Sequence, residues 1–222
     1  MAPITPPVSV KALTVKGSGD DRVASLRITN DSKKAVSKID LELFRYLEDG
    51  SLEGTVGDRT FEKRVTVLNP GESYDMELNS FFIKDNVESV DGMVQELTWK
   101  DGTKWPVFEG PATDPEGDAP VSLRMKGIVR QGKIALPLIE FFNHSDKGVT
   151  ALRYRLYYLD AAGNELSKGR RTGRSNGNET MIPADEGIAF FGNEGPPDNS
   201  AGVRLSLHSA DFADGSSWKS ED

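Results

Sequence analysis

The chain has 222 residues, room for one large domain or two of roughly 110 each. Hydrophobic residues at 36%, charged residues at 28% and a mean hydropathy of -0.47 predict a soluble globular polypeptide and exclude collagenous, coiled-coil and membrane classes. Lys+Arg 27 against Asp+Glu 35 gives a formal charge of -8, which repels a phosphate backbone and argues against nucleic acid as a partner. Cys 0 removes disulfides, thiolate metal sites and thiol catalysis, while His 2 leaves little for imidazole chemistry; a non-enzymatic protein without a cofactor is expected.

At the N-terminus, Met1-Ala2-Pro3-Ile4-Thr5-Pro6-Pro7 contains neither a basic region nor a continuous apolar stretch. It reads as an extended, proline-rich lead-in and not as a signal peptide or membrane helix. Apolar residues then alternate at period two in Val8, Val10, Ala12, in Ala24, Leu26, Ile28 and in Ile39, Leu41, Leu43, the pattern of strands with one buried face. Turn residues break the run at Gly17-Ser18-Gly19-Asp20, Asn30-Asp31-Ser32, Glu48-Asp49-Gly50, Asn69-Pro70-Gly71-Glu72 and Asp101-Gly102. Seven strands are expected near residues 8–16, 22–30, 37–47, 61–68, 73–79, 90–99 and 103–108, with at most a helical turn in Ser80–Lys84.

The chain then repeats itself. A shift of 113 residues carries Pro7-Val8-Ser9 onto Pro120-Val121-Ser122, and without a gap it also carries Asn30, Ser32, Lys34 and Val36 onto Asn143, Ser145, Lys147 and Val149. The same shift places Gly50 on Gly163, Pro70 on Pro183, and Asp101-Gly102 with Trp105 on Asp214-Gly215 with Trp218. The shared positions are turn residues and alternate apolar ones, the set that fixes a fold and not a reaction. The expected architecture is all-β: two tandem sandwich domains related by internal duplication, spanning 1–110 and 120–222. Residues 111–119, rich in Pro, Gly and acid, are read as a stiff linker.

Three features in fixed order carry a resemblance: Asn143-His144-Ser145-Asp146-Lys147-Gly148-Val149, then Leu156-Tyr157-Tyr158-Leu159-Asp160-Ala161-Ala162-Gly163, and Leu68-Asn69-Pro70-Gly71-Glu72-Ser73. With the closing Trp99–Trp105 and Phe212–Trp218 hairpins, the chain resembles the FxLYD-type, immunoglobulin-like domains of bacterial extracytoplasmic proteins. Copy one has Leu47 where that pattern has Asp, and copy two has Ala184 where its turn has Gly. The resemblance implies a non-catalytic module of the periplasm, cell surface or a secreted protein, with a protein or cell-surface partner.

The candidate sites are few. Arg170, Arg171 and Arg174 stand in a basic, glycine-rich stretch, Lys168–Asn178, of an acidic protein; guanidinium forks on a flexible loop suit an anion, against the plainer reading of a hydrophilic connection. Trp99, Trp105 and Trp218, with Phe212, form a sugar-stacking platform if exposed, although their recurrence in register favours packing. Asp114, Glu116 and Asp118, near Glu109, are oxygen ligands of the type calcium takes, but a solvated linker accounts for them as well. His144 and His208 lie in different parts of copy two, without companions at ligand spacing. The function expected is therefore a structural or protein-interaction module. A carbohydrate-binding or calcium-dependent adhesive domain comes second, and a glycosidase-like enzyme using paired carboxylates third.

Overall fold

A computed structural model describes the chain apart from residues 1–2, 63–66, 111–114, 116, 175–178, 193–194 and 222; of 56–59 and 167–174 it describes the backbone. The regular structure of the described residues is strand throughout apart from one short 3₁₀ turn, Gly19–Asp21, and the all-β expectation holds.

The chain divides into two compact units. The N-terminal unit is Thr5–Pro106 together with Arg130–Ile134; the C-terminal unit is Met1–Ile4, Val107–Val129 and Ala135–Asp222. These boundaries depart from the expected 1–110, 111–119 and 120–222. Val107–Gly110 packs with the C-terminal unit, and two short pieces, Met1–Ile4 and Arg130–Ile134, cross to the unit that sequence order does not assign them.

β1 (Pro3–Ile4) belongs to the C-terminal unit. In the N-terminal unit, β2 (Val8–Lys16), β3 (Val23–Asn30) and β6 (Ser73–Leu78) form one sheet. A second sheet has the order β5 (Leu52–Glu62), β4 (Val36–Tyr46), β7 (Ser89–Trp99), β8 (Lys104–Trp105). Most of the alternation read from the sequence is the alternation of burial: Val8, Val10, Ala24, Leu26, Ile28, Ile39, Leu41, Leu43, Val94 and Leu97 meet in one core, whereas Ala12, at the bulge between Ala12 and Thr14, is exposed. The two sheets approach closely because Gly92 on β7 has no side chain; a Cβ there would lie 2.8 Å from Val10 Cγ1. Ile83, on the single turn that Phe82 N and Ile83 N close onto Asn79 O, plugs the same core.

The C-terminal unit repeats this plan with β9 (Val121–Gln131), β10 (Ile134–Asn143) and β13 (Gly187–Phe191) in one sheet, and β12 (Glu165–Arg174), β11 (Val149–Leu159), β14 (Gly202–Phe212) and β15 (Ser217–Lys219) in the other. β1 adds to the first sheet as a parallel strand beside β9, pairing Pro3 with Ile128 and Ile4 with Val129. Val121, Ile139, Phe141, Leu152, Tyr154, Leu156, Ile182 and Leu207 form its core.

One expected strand is misplaced in each unit. The fourth strand expected at 61–68, and its counterpart 113 residues further on, give way to Leu52–Glu62 and Glu165–Arg174. The reason is the preceding turn. Leu47 N donates to Ser51 O, with Gly50 at φ +80°, and Asp160 N donates to Asn164 O, with Gly163 at φ +85°, so the chain reverses at once and pairs with the strand it has just left. Pairing with β4 outweighs the poor strand propensity of Gly54 and Gly57.

The backbone also corrects the gapless register. Around the later turn the equivalence is 114 and not 113. Val36 N donates to Leu68 O at 2.9 Å and Val149 N to Ile182 O at 2.9 Å, while Asn30 N reaches Glu72 O and Asn143 N reaches Glu186 O. Pro70 is therefore matched by Ala184, and Gly71, at φ +75°, by Asp185, at φ +55°. Ala184 does not stand at the left-handed position; an aspartate, a residue that tolerates that region, does. Elsewhere 113 holds, including the β-bulges: those between Asp40 and Leu41 and between Arg153 and Tyr154 recur at the same offset.

Candidate interaction surface

The outer face of the C-terminal unit's four-stranded sheet is built from alternate residues of β11. Leu152, Tyr154, Leu156 and Tyr158 turn inward to the core, which leaves Arg153, Arg155 and Tyr157 outside. Register sets their neighbours on β14: Ser209 opposite Arg153, Ser206 opposite Arg155 and Arg204 opposite Tyr157. Lys219 on β15 pairs with Ser209, extending the row of positive charge. His208 takes the extra position of the bulge between these pairs.

On this face Arg204 is exposed, and Arg153 and Arg155 are half-buried. The Arg204 guanidinium lies 4.4 Å from the centroid of the Tyr157 ring, a cation–π arrangement that leaves its charge unneutralised. Arg153 Nη1 donates to Ser209 Oγ at 3.1 Å and stands 3.8 Å from Asp211 Oδ2, with both side chains more than a third exposed, so that pair is weak. Among the described residues neither Arg155 nor Arg204 forms an ion pair.

Equivalent positions of the N-terminal unit carry the opposite sign. Asp40, Glu42 and Asp91 stand where Arg153, Arg155 and Arg204 stand in the second unit, and Phe44 stands for Tyr157. Lys38 bridges Asp40 at 2.8 Å, and that hydrogen bond holds the Lys38 ammonium above its ordinary range; Lys104 bridges Glu96 at 2.9 Å. Further along this face lies a seat filled within the same unit. Lys133 N donates to Asp91 Oδ2 at 2.9 Å, Lys133 Nζ reaches Ser89 Oγ at 3.2 Å and lies 5.0 Å over the Tyr46 ring. Gln131 donates to Val8 O and accepts from Val94 N, each at 2.9 Å. Burial and the adjacent Asp91 charge push the Tyr46 phenol above its usual range.

Other predicted residues fall elsewhere. Trp99 is buried and Trp105 packs against the same core. The Lys100–Gly102 loop pairs Trp105 with Leu97, two residues from Trp99, and so sets both rings on the inner face. Trp218 packs against the second core, opposite Ala210. Trp99 is thus interior, Trp105 and Trp218 are half-buried against the two cores, and the three do not form an exposed row. Arg170, Arg171 and Arg174 belong to β12 and not to a loop; position 170 pairs with Arg155, 171 with Tyr154 and 174 with Ala151, while their side chains and the rest of the loop, 175–178, lie outside the described residues. Strand pairing, invisible in the glycine-rich sequence, is what converts the stretch. Asp114 and Glu116 also lie outside the described residues. Glu109 is committed elsewhere: its carboxylate pairs with Lys126 and its backbone N–H donates to Glu140 at 3.2 Å. No cluster of three metal-ligating side chains exists among the described residues. His144 Nε2 sits 2.8 Å from Ser122 Oγ and edge-on to Phe142, a packed turn histidine.

A shallow groove of about 530 Å³ runs over the outer side of the β2–β3–β6 sheet, lined by Leu13, Thr14, Lys16, Ser25, Tyr74, Asp75 and Glu77. Its Asp75 is held below the usual carboxylate range by the Arg27 side chain, which grips both carboxylate oxygens at 2.7 Å. A carboxylate so paired is poorly suited to proton transfer near neutral pH.

No family model matches the chain. No curated protein matches it at a significant level. Among solved structures it is similar to red sea bream transglutaminase, at 12% identity and a TM-score of 0.26, over 92% of this chain and 28% of that one. The chain thus spans under a third of the length of that structure.

Proposed function

We propose that this chain is a non-catalytic interaction module made of tandem β-sandwich units, and that the outer face of β11 and β14 is its working surface. The observation that carries the reading is the constellation of Arg153, Arg155 and Arg204 with Tyr157, cations on the outer face of a paired sheet in a protein of net charge -8. A sheet holds such groups at fixed spacing, so an acidic partner meets a preorganised array and loses little entropy on binding. The recurrence of bulges at an offset of 113, and of turn hydrogen bonds at 113 and, around the later turn, 114, supports descent of the two units from a duplicated ancestor. The immunoglobulin-like, FxLYD-type resemblance supports a bacterial envelope or secreted setting for the module.

Titration with a short polyglutamate probe tests the surface. Wild type is expected to bind with an affinity that falls steeply as salt rises, and Arg153→Glu/Arg155→Glu/Arg204→Glu to lose binding by about a hundredfold or more. Unchanged binding by the triple variant places the acidic partner elsewhere.

A further inference from the structure

We propose that copies of this chain associate head to tail, the β2–β3 turn Gly19-Asp20-Asp21 of one chain seating on the β11–β14 face of the next around Arg155, Tyr157 and Arg204. The inference rests on reading that face as an interaction surface, and it names the occupant.

The template is a contact inside the N-terminal unit. There the apex of the β9–β10 hairpin, Gly132-Lys133, sits on the outer face of β4 and β7. Gly132, at φ +56°, lies so close that a Cβ would come within 2.9 Å of the Asp91 carboxylate, and Lys133 engages Asp91, Ser89 and the Tyr46 ring. The apex and the charged member of the seat recur at the offset of 113, whereas Ser89 and Tyr46 correspond to Gly202 and Leu159. The apex equivalent to Gly132-Lys133 is Gly19-Asp20, with Gly19 at φ +54°. Asp91 of the seat corresponds to Arg204, and its neighbours on the same face, Phe44 and Glu42, correspond to Tyr157 and Arg155.

The charges have inverted on both sides. Lys133 on the apex becomes Asp20, followed by a second acid, Asp21; Asp91 in the seat becomes Arg204, and Glu42 becomes Arg155. A change on one side alone would juxtapose like charges, whereas the paired change keeps the two surfaces complementary. The turn presents itself for docking: Asp20 and Asp21 are exposed, nothing lies within 4 Å of a Cβ at Gly19, and the backbone N–H of Gly19 is tied to Asp85 Oδ1 at 2.9 Å, which adds a third carboxylate beside the apex. Turn and seat are different surfaces, so the contact is heterologous; repeated, it builds open chains or closed rings and not an isologous pair.

Sedimentation of the full chain at about 20 mM and about 500 mM salt tests this, because ion pairs at an exposed face are screened in the second condition. Wild type at low salt is expected to gain mass continuously with concentration and to return to monomer at high salt. Asp20→Lys/Asp21→Lys and Arg155→Glu/Arg204→Glu should each associate at least about tenfold more weakly, and an equimolar mixture of the two should recover association, since each apex then finds a seat of opposite sign. The substituted side chains lie on a turn and an outer sheet face, and an unchanged melting temperature confirms that both variants fold. Wild type monomeric at every concentration at low salt, or a mass indifferent to both substitutions, overturns the proposal. If wild type stays monomeric yet binds polyglutamate through Arg155 and Arg204, the surface stands and the second copy as its occupant falls.

Discussion

Asn30 and Asn143 show how single side chains hold this fold. Each is fully buried and replaces a missing strand partner at the end of its sheet. Asn30 Nδ2 donates to Lys34 O at 2.8 Å and Leu68 O at 3.2 Å, and its Oδ1 accepts from Ser32 N and Oγ; Asn143 does the same with Lys147, Ile182, Pro183 and Ser145. An asparagine is required because one group must both donate twice and accept twice within a turn. Replacement removes the donor shared by Lys147 O, Ile182 O and Pro183 O and takes from Ser145 N and Oγ their acceptor, so Asn143→Ala is expected to cost about 2 kcal/mol. Urea denaturation followed by tryptophan fluorescence measures it, and Trp218 reports on the C-terminal unit because Trp99 and Trp105 lie in the other. The Asn-x-Ser spacing was legible in the sequence as a turn; that the amide is buried and closes a distant carbonyl was not, because Leu68 and Ile182 come near only when the sandwich closes.

The outer side of the β9–β10 sheet is sealed by the stretch Val107–Gly110. Phe108 stacks on Phe142 with ring centroids 6.0 Å apart and lies over Gly187, where an added Cβ would meet its ring at 2.1 Å. Beneath the strap, Glu140 is 2% exposed; it accepts from Arg124 Nε at 2.8 Å, and Lys126 Nζ stands 3.6 Å away. A carboxylate so buried is tolerable only with its cation present. Arg124→Leu is therefore expected to cost about 3 kcal/mol, and Arg124→Leu/Glu140→Leu to regain most of it, because the double variant removes the uncompensated charge; a double-mutant cycle by chemical denaturation reads the difference. Each unit is also closed at its last hairpin by a matched pair. Lys34 reaches Asp101 at 2.8 Å and Lys147 reaches Asp214 at 2.7 Å. These lysines, with Thr103 and Ser216 hydrogen bonds, hold Asp101 and Asp214 well below the usual carboxylate range. A carboxylate depressed in the folded state contributes stability that is complete above its unfolded value, near pH 4, and vanishes as pH falls through the lower folded value. The stability difference between wild type and Asp101→Asn or Asp214→Asn should accordingly shrink as pH drops below about 4, as acid titrations of the unfolding midpoint would show.

Across the two units, one scaffold carries opposite charge on the same sheet face. Asp40, Glu42 and Asp91 in one are Arg153, Arg155 and Arg204 in the other, on backbones whose bulges coincide at an offset of 113. Inward positions keep their class because a packed interior accepts little change in volume or polarity, whereas outward positions are free to diverge in sign. The divergence is the most informative property of the molecule, since it separates what the scaffold needs from what a partner meets. Alternation of Val, Leu and Ile with turn residues was enough to fix the all-β class and the bounds of most strands, because side-chain direction in a strand depends on nothing beyond the next residue. The fourth strand of each unit, the Asp185 turn, the crossing pieces Met1–Ile4 and Arg130–Ile134, and the union of Arg153, Arg155 and Arg204 into one surface were settled by closure of the sandwiches. They depend on which strand lies beside which and in what register, and that pairing joins residues some fifty positions apart whose proximity no local pattern encodes.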